Sequence, residues 1–319
     1  MAEAQEKLAP SWIEVPFEVQ KPQDGRRVDS YLTHRLKGYS RAEVQRLIQA
    51  GRVLLEGRAV KPSTRVGAGH IVLIRYPRRE EPPAKHEFLP VLYEDEHMIA
   101  VNKPGDILAH PTDRVLLNSA TSILKNQFPG AKLHLVHRLD RETSGVLLLA
   151  KNPRSARALN SQFVSRQIAK QYLALVRGRV SWRHKEVDAP VGREGLAIKV
   201  RQTIGVGQPA STEFECLKSS AALSLILARP KTGRLHQIRV HLAHLGHPIL
   251  GDKLYIGTGE SYMKAVRRKL TPEDLEALGA RRQMLHAWRL SLNHPHSGAP
   301  LEITAPEPED FRLVAERLP

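Results

Sequence analysis

The stretch His137-Arg138-Leu139-Asp140-Arg141-Glu142-Thr143-Ser144-Gly145 runs directly into the apolar segment Val146-Leu147-Leu148-Leu149-Ala150-Lys151. The apolar segment is short and lies between Gly145 and the pair Asn152-Pro153, which is typical of a buried strand. The charged loop before it is therefore expected at the end of a sheet strand. A rigid element in that position can hold a reactive side chain in place.

Asp140 is the candidate reactive residue of this loop. Arg138 and Arg141 flank it, and a nearby opposite charge favours the ionised form of a carboxyl group. An ionised carboxylate suits nucleophilic or electrostatic work better than proton donation. The alternative, from local chemistry alone, is an ion pair on the protein surface.

Composition and charge restrict the class of protein. The chain has 319 residues, of which 41% are hydrophobic and 26% charged, as expected for a soluble globular protein with a sizeable core. It has no run of eighteen apolar residues, no visible secretory signal at its start, and a single cysteine, Cys216. These features predict a protein without membrane spans or disulfides, and we expect it in the cytoplasm.

The strong positive charge predicts a polyanionic partner. The formal net charge is +16 and the pI is about 10.1. Residues 26–80 hold thirteen Lys and Arg against four Asp and Glu. Nucleic acid is favoured over a membrane surface, because the sequence lacks a long basic amphipathic helix with an aromatic apolar face.

The chain is expected to contain two domains. Residues 1–25 show no clear periodicity and predict a loosely held extension. Residues 26–76 predict a small module with two helices and two strands. Its first helix is expected to stop at Gly38, and its second helix begins with a capping box of Ser40 and Glu43. A proline-rich charged segment, 77–90, predicts a linker to a larger domain over 91–319.

A second motif lies at Lys231-Thr232-Gly233-Arg234-Leu235-His236-Gln237-Ile238-Arg239-Val240-His241. The spacing predicts a turn at 230–233 and then a helix that buries Leu235, Ile238, Leu242 and Leu245 and closes at Gly246. Arg239 lies at the edge of the apolar face. Burying an unpaired charge is costly, so this arginine requires a buried or ligand-borne anion, for which Asp140 is the natural candidate.

Four histidines near this motif also allow a metal-site interpretation. His241 and His244 are three residues apart, but the spacing of HExxH is absent and no cysteine is near. We therefore expect no metal, and histidines that face solvent or RNA.

Several stretches resemble the RluA family of pseudouridine synthases. They are the loop from His137 to Gly145 with its following strand, Lys103-Pro104 before His110-Pro111, Lys170-x-Tyr172, and the Gly233 to Arg239 segment. Asp106 departs from the glycine usual in the first of the family's motifs. Residues 26–76 resemble the small RNA-binding module shared by a ribosomal small-subunit protein and some tRNA synthetases.

The resemblance implies an α+β protein, with a small α/β RNA-binding module and a catalytic domain built on a mixed, mainly antiparallel sheet flanked by helices. It implies uridine-to-pseudouridine isomerisation in RNA without a cofactor. Asp140 would be catalytic, Arg239 its partner (Arg234 being the alternative), Tyr172 the residue that packs on the uracil, and Arg138 the residue that fills the space the base leaves.

The target and two other functions remain open from the sequence. We expect a monomer that modifies large-subunit ribosomal RNA, with transfer RNA as the second choice. A non-catalytic RNA-binding or ribosome-assembly factor would explain the charge but leaves Asp140 without a task. A glycoside hydrolase requires paired carboxylates, and Glu142 is the only acid beside Asp140.

Overall fold

The computed structural model describes residues 12–36, 39–77, 81, 83–112, 115–193 and 198–319. The chain divides into two compact units, one ending at residue 80 and one running from Glu81 to Pro319. No helix in the described ranges is both long enough and apolar enough to cross a membrane.

The first unit is a four-stranded antiparallel sheet with two helices. Its elements in chain order are β1 (Trp12–Glu18), a 3-10 turn (Lys21–Gln23), α1 (Val28–Arg35), α2 (Arg41–Gln49), β2 (Val53–Leu55), β3 (Arg58–Ala59) and β4 (Ile71–Pro77). The sheet order is β1-β4-β2-β3. Tyr31, Leu32, Val44 and Ile74 are part of its buried core. The predicted capping box of Ser40 and Glu43 is present at the start of α2, and the stop predicted at Gly38 lies outside the described residues.

The prediction of a loose extension over 1–25 is wrong from Trp12 onward. Strand β1 pairs with β4 along its whole length, from Trp12 opposite Pro77 to Glu18 opposite Ile71. Pro16 argues against a strand in the sequence, because proline has no backbone N–H to donate to a neighbouring strand. An edge strand tolerates this loss, and β1 is at the edge.

The second unit is built on a large mixed sheet. Its strands are β5 (Val91–Glu94), β6 (Met98–Lys103), β7 (His134–Leu135), β8 (Ser144–Ala150), β9 (Ala169–Arg177), β10 (His184–Asp188), β13 (Ser211–Ser219), β14 (Leu223–Pro230), β15 (Leu285–Asn293) and β16 (Pro300–Thr304), with β11 (Val191–Gly192) and β12 (Thr203–Ile204) as a separate pair. Its helices are α3 (Ala120–Gln127), α4 (Pro153–Val164), α5 (Gln237–His244), α6 (Glu260–Val266), α7 (Pro272–Leu278) and α8 (Glu309–Ala315). The predicted fold class is confirmed.

Strand β15 joins two halves of this sheet. The order is β10-β13-β14-β9-β15-β8-β6-β5, so β15 lies between β9 and β8. It pairs antiparallel with β9 and parallel with β8, where Ala287 lies opposite Gly145. A Cβ on Gly145 would clash with the carbonyl oxygen of Ala287, and the φ of Gly145 is +110°. The glycine is therefore required for this close approach.

The second unit begins ten residues before the predicted boundary at 91, at Glu81. Leu89 is fully buried, and its backbone exchanges two hydrogen bonds with the Gln127 side chain of α3. The later part of the predicted linker is thus packed onto the second unit, because Leu89 belongs to its hydrophobic core. The proline-rich sequence around Leu89 gave no indication of this burial.

Helix α5 begins later than the sequence predicts. Residues 231–236 form a turn instead, in which the Gln237 side chain accepts hydrogen bonds from Thr232 Oγ1 and from Arg234 N. His236 has a left-handed backbone, with φ +58°, and this interrupts the helical path. Leu235 is consequently 40% exposed and not part of the core, which contradicts the prediction for that residue.

Candidate active site

A cleft of about 590 Å³ opens in the second unit. Its walls are the loop between β7 and β8, the start of β9, the turn at 231–236 and α5. All four site residues predicted from the sequence line it: Arg138, Asp140, Tyr172 and Arg239. Residues distant in sequence are therefore brought together around one cavity.

The predicted ion pair between Asp140 and Arg239 is present. Arg239 Nη1 donates to Asp140 Oδ2 at 2.8 Å. Burial by itself would raise the pKa of Asp140, but the charge and hydrogen bond of Arg239 bring it below its ordinary value. The carboxylate is accordingly ionised at neutral pH while most of its surface is removed from water.

The flanking arginines do not supply this pairing. Within the described residues, the arginine that forms an ion pair with Asp140 is Arg239, whereas Arg138 is exposed at the cleft. The sequence-based expectation that Arg138 and Arg141 hold Asp140 ionised is wrong. The partner of Asp140 comes instead from α5, a helix distant in the sequence.

A second carboxylate, which the sequence did not reveal, fixes Arg239. Asp252 is fully buried and accepts from Arg239 Nε at 2.7 Å and from Arg239 Nη2 at 2.9 Å. It also accepts from the backbone N–H groups of Leu254 and Tyr255. This bidentate contact leaves Nη1 directed at Asp140, so Asp252 sets the orientation of the guanidinium.

His236 is a further neighbour of Asp140 that sequence reasoning missed. Its Nε2 lies 3.8 Å from Asp140 Oδ2, and its Nδ1 lies 3.1 Å from the Tyr255 hydroxyl. That hydroxyl accepts from the backbone N–H of Gln202, so its own hydrogen is free to donate to Nδ1. When the hydroxyl donates to Nδ1, the neutral imidazole carries its hydrogen on Nε2, the ring nitrogen nearer Asp140. Burial, with the charge of Arg239, lowers the pKa of His236 to about 4.

Tyr172 lies on β9 in the wall of the cleft. Its backbone is paired on both sides, with Ala228 of β14 and Ala287 of β15. Burial, followed by the nearby charge of Asp140, raises the pKa of its hydroxyl above the ordinary value. The tyrosine is thus a neutral ring on a paired strand, close to the carboxylate of Asp140.

Lys103 supports the loop of Asp140 from behind. It is fully buried, and its Nζ donates to three backbone carbonyls, those of Pro104, Ile107 and Arg141. Burial lowers its pKa to about 7. The Lys-Pro step is therefore a turn that is tied to the site loop.

Two other residues of interest have structural partners. Glu142 forms an ion pair with Lys253 at 2.8 Å and accepts from Gln283 N. His241 is fully buried, with Nδ1 3.0 Å from Thr212 Oγ1 and Nε2 3.2 Å from the Ala189 carbonyl oxygen. The expectation that His241 faces solvent or RNA is wrong, because it points into the packing of α5 against the sheet.

Comparisons with known proteins identify the family of this chain. The family model described as RNA pseudouridylate synthase matches residues 97–244, and the S4 domain model matches residues 26–72. Ribosomal large subunit pseudouridine synthase D of Xanthomonas campestris pv. campestris is 34% identical over 303 residues, covering 92% of this chain and 89% of the relative. Ribosomal large subunit pseudouridine synthase C of Escherichia coli K12 is 34% identical over 309 residues, covering 92% and 93%.

A solved structure supports the same assignment. Human RNA pseudouridylate synthase domain containing 4 superposes with a TM-score of 0.57 at 28% identity, and the alignment covers 72% of this chain and 94% of that chain. The fold and the matches define an RNA-modifying isomerase with an N-terminal S4 domain. This chain belongs to the RluA family of RNA pseudouridine synthases, which convert uridine in RNA to pseudouridine.

Proposed function

We propose that this protein isomerises specific uridines of large-subunit ribosomal RNA and that Asp140 is its catalytic residue. The observation that carries the proposal is the hydrogen-bonded ion pair between Asp140 and Arg239, at a cleft that also contains Tyr172. The relatives named as large subunit synthases support the choice of RNA.

The reaction requires an ionised carboxylate beside the ribose. The bond between N1 and C1′ breaks, the uracil turns within the cleft, and C5 bonds to C1′; C5 then loses its proton and N1 takes one up, so that the product is an isomer. Asp140 either attacks C1′ or removes a proton from the ribose, and both routes need the charged form. Arg239 keeps Asp140 charged and oriented, and the ring of His236 lies beside the carboxylate, with its Nε2 3.8 Å from Oδ2.

Tyr172 and Arg138 are assigned to the base. The Tyr172 ring offers a flat face on which an extruded uracil packs, and its position on a paired strand limits its movement. Arg138 is exposed at the cleft, where it can occupy the space that the base leaves in the RNA. Extrusion costs a few kcal/mol, which phosphate contacts elsewhere must offset.

The first unit is assigned to RNA binding outside the cleft. It corresponds to the predicted module over 26–76, extended by strand β1, and its excess of Lys and Arg supports contact with phosphates. We further propose that the protein acts as a monomer in the cytoplasm and needs no cofactor.

Two measurements test the proposal. Pseudouridine mapping of ribosomal and transfer RNA from a strain that lacks the protein should show sites lost from large-subunit RNA. Loss confined to transfer RNA would replace the target, and no loss in any RNA would favour a non-catalytic binder.

Tritium release from RNA labelled at uracil C5 tests the residue. Asp140→Asn should abolish release, whereas Glu142→Gln, which alters the other acid of the same loop, should retain at least part of it. Release that persists in Asp140→Asn refutes the catalytic assignment. Free uracil among the products would indicate hydrolysis.

A further inference from the structure

One wall of the cleft carries a group of cations. Lys170 of β9, Arg166 from the loop before it, and Arg234 from the turn at 231–236 all line the cavity. In the described part of the chain, none of the three forms an ion pair with a carboxylate. Lys231 also lines the cavity, but it is paired with Glu186 and Glu213, each at 2.8 Å.

Lys170 is the most constrained of the three. It precedes Tyr172 by two residues on the same strand, so both side chains lie on one face of the sheet. Its Nζ donates to the Thr232 carbonyl oxygen at 2.8 Å. An ammonium has three donors, and the described residues use one of them. Burial, followed by the charges of Arg166 and Arg234, lowers the pKa of Lys170 to about 8.

Arg166 is held in an uncommon backbone conformation. Its φ is +60°, in the left-handed region that is unfavourable for a residue with a side chain. The residue directly follows helix α4, where Gln167 N donates to the Gln162 carbonyl oxygen at 2.9 Å, so the left-handed conformation ends this helix and fixes where Arg166 leaves it. Here the conformation accompanies an exposed guanidinium at the cleft, close to Lys170.

We propose that Lys170, Arg166 and Arg234 form a seat for a phosphodiester group next to the uridine held in the cleft. Three cations from three segments suit an anion with several acceptor oxygens, which a phosphodiester provides. The inference rests on the proposed function, since RNA carries phosphates on both sides of every nucleotide. Lys170 is a positioning residue, because it fixes the backbone beside the base without touching the reacting atoms.

A purely structural role for Lys170 is the competing interpretation. In that case its ammonium only ties the turn at 231–236 to β9 through the Thr232 carbonyl. Loss of the lysine would then disturb the turn, but the effect would not depend on the charge of any RNA phosphate. A neutral phosphate linkage therefore distinguishes the two interpretations.

The probe is a short single-stranded RNA with one uridine among cytidines. It is prepared in three forms: unmodified, with an uncharged methylphosphonate on the 5′ side of the uridine, and with the same linkage on the 3′ side. Dissociation constants are measured by fluorescence anisotropy over a range of salt concentrations. The full-length proteins are the wild type, Lys170→Gln, Lys170→Arg and Lys231→Gln.

We expect one neutral linkage to weaken binding to the wild type roughly tenfold. Lys170→Gln should weaken binding of unmodified RNA by a similar factor, lower the salt slope by about 0.7, and lose its sensitivity to that linkage. Lys231→Gln removes the same charge from the same cleft, so it controls for long-range attraction. It should change binding less than about twofold, because its ammonium is engaged by Glu186 and Glu213 rather than by a phosphate, and it should keep full sensitivity to the linkage.

The proposal is overturned if the neutral linkages have equal effects on the wild type and Lys170→Gln, or if Lys170→Gln and Lys231→Gln behave alike. If Lys170→Gln fails to fold, the binding of the three RNAs to the wild type and to Lys170→Arg, which keeps the positive charge, tests the proposal instead. If neither neutral linkage changes the dissociation constant of the wild type, the proposed phosphodiester site does not exist. Binding requires no turnover, so failure to form pseudouridine would contradict only the proposed function.

Discussion

Replacing Asp252 by asparagine should both destabilise the second unit and reduce activity. The carboxylate is fully buried and receives two hydrogen bonds from Arg239 and two from backbone N–H groups. In the Asp252→Asn variant the new amide nitrogen would place one donor against another, and a buried guanidinium would lose half of its compensating charge. Breaking one side of a buried ion pair costs about 3–5 kcal/mol, and we expect the lower value because Asp140 remains as a partner.

Arg282 and Asp310 provide a matched control for this change. They form the same bidentate contact, with distances of 2.6 and 2.8 Å, but the side chain of Asp310 is 49% exposed. Asp310→Asn should therefore lower the free energy of unfolding by no more than about 1 kcal/mol. Urea denaturation of both variants, followed by circular dichroism, measures the difference.

The effect on activity follows from the geometry. Asp252 aims the guanidinium of Arg239 at Asp140, so its loss should displace the carboxylate that we propose to be catalytic. A displacement of about 1 Å at a reactive group costs on the order of 10²-fold in rate. Tritium release should fall by that factor in Asp252→Asn and remain near the wild-type rate in Asp310→Asn. Equal unfolding free energies for the two variants, or full activity of Asp252→Asn, would refute the reasoning.

Three further predictions concern the framework of the site. Gly145→Ala should destabilise the protein by about 3 kcal/mol or more, since its Cβ would clash with the backbone of Ala287. The control Gly57→Ala, at φ +76° with open space around it, should cost only about 1 kcal/mol. Equal decreases in melting temperature for the two variants would contradict this prediction. His286 is buried and its pKa is lowered to about 4, below the value in the unfolded chain, so its contribution to stability is present above about pH 6.5 and is lost as the pH falls towards 4. His286→Gln should therefore flatten the pH dependence of the unfolding free energy in this window by up to about 1.4 kcal/mol per pH unit. An unchanged slope would show that His286 is not the group whose protonation destabilises the fold. Lys103→Met should leave three backbone carbonyls without their donor and lower the free energy of unfolding by about 2–5 kcal/mol, with loss of tritium release. A stable and active variant would show that the loop of Asp140 does not depend on Lys103.

The sequence was sufficient for the central pair of the site. An arginine at the edge of an apolar helix face requires an anion, and a loop aspartate before a buried strand is a suitable one. This reasoning, together with the motif resemblance, placed Arg239 beside Asp140. The physical basis is local, because helix periodicity and strand boundaries depend on neighbouring residues.

The supporting residues were not predictable in the same way. Asp252 and Tyr255 lie in an irregular segment after β14 and α5, where no periodicity indicates which side chains turn inward. Their roles arise from tertiary contacts with Arg239 and His236. The same applies to Leu235, whose apolar character predicted burial, whereas the left-handed His236 removed it from the helix.

The position of β15 has a consequence for the protein as it is being translated. When residues up to about 280 have left the ribosome, β9 presents an open edge and β8 is unpaired on one side at Ser144 and Gly145, since the strand that pairs with both is still to come. Asp140 stands beside one of these edges and Tyr172 on the other. The nascent enzyme therefore cannot complete its cleft until one of its last strands is inserted, and a chain truncated before Leu285 should expose both edges to aggregation.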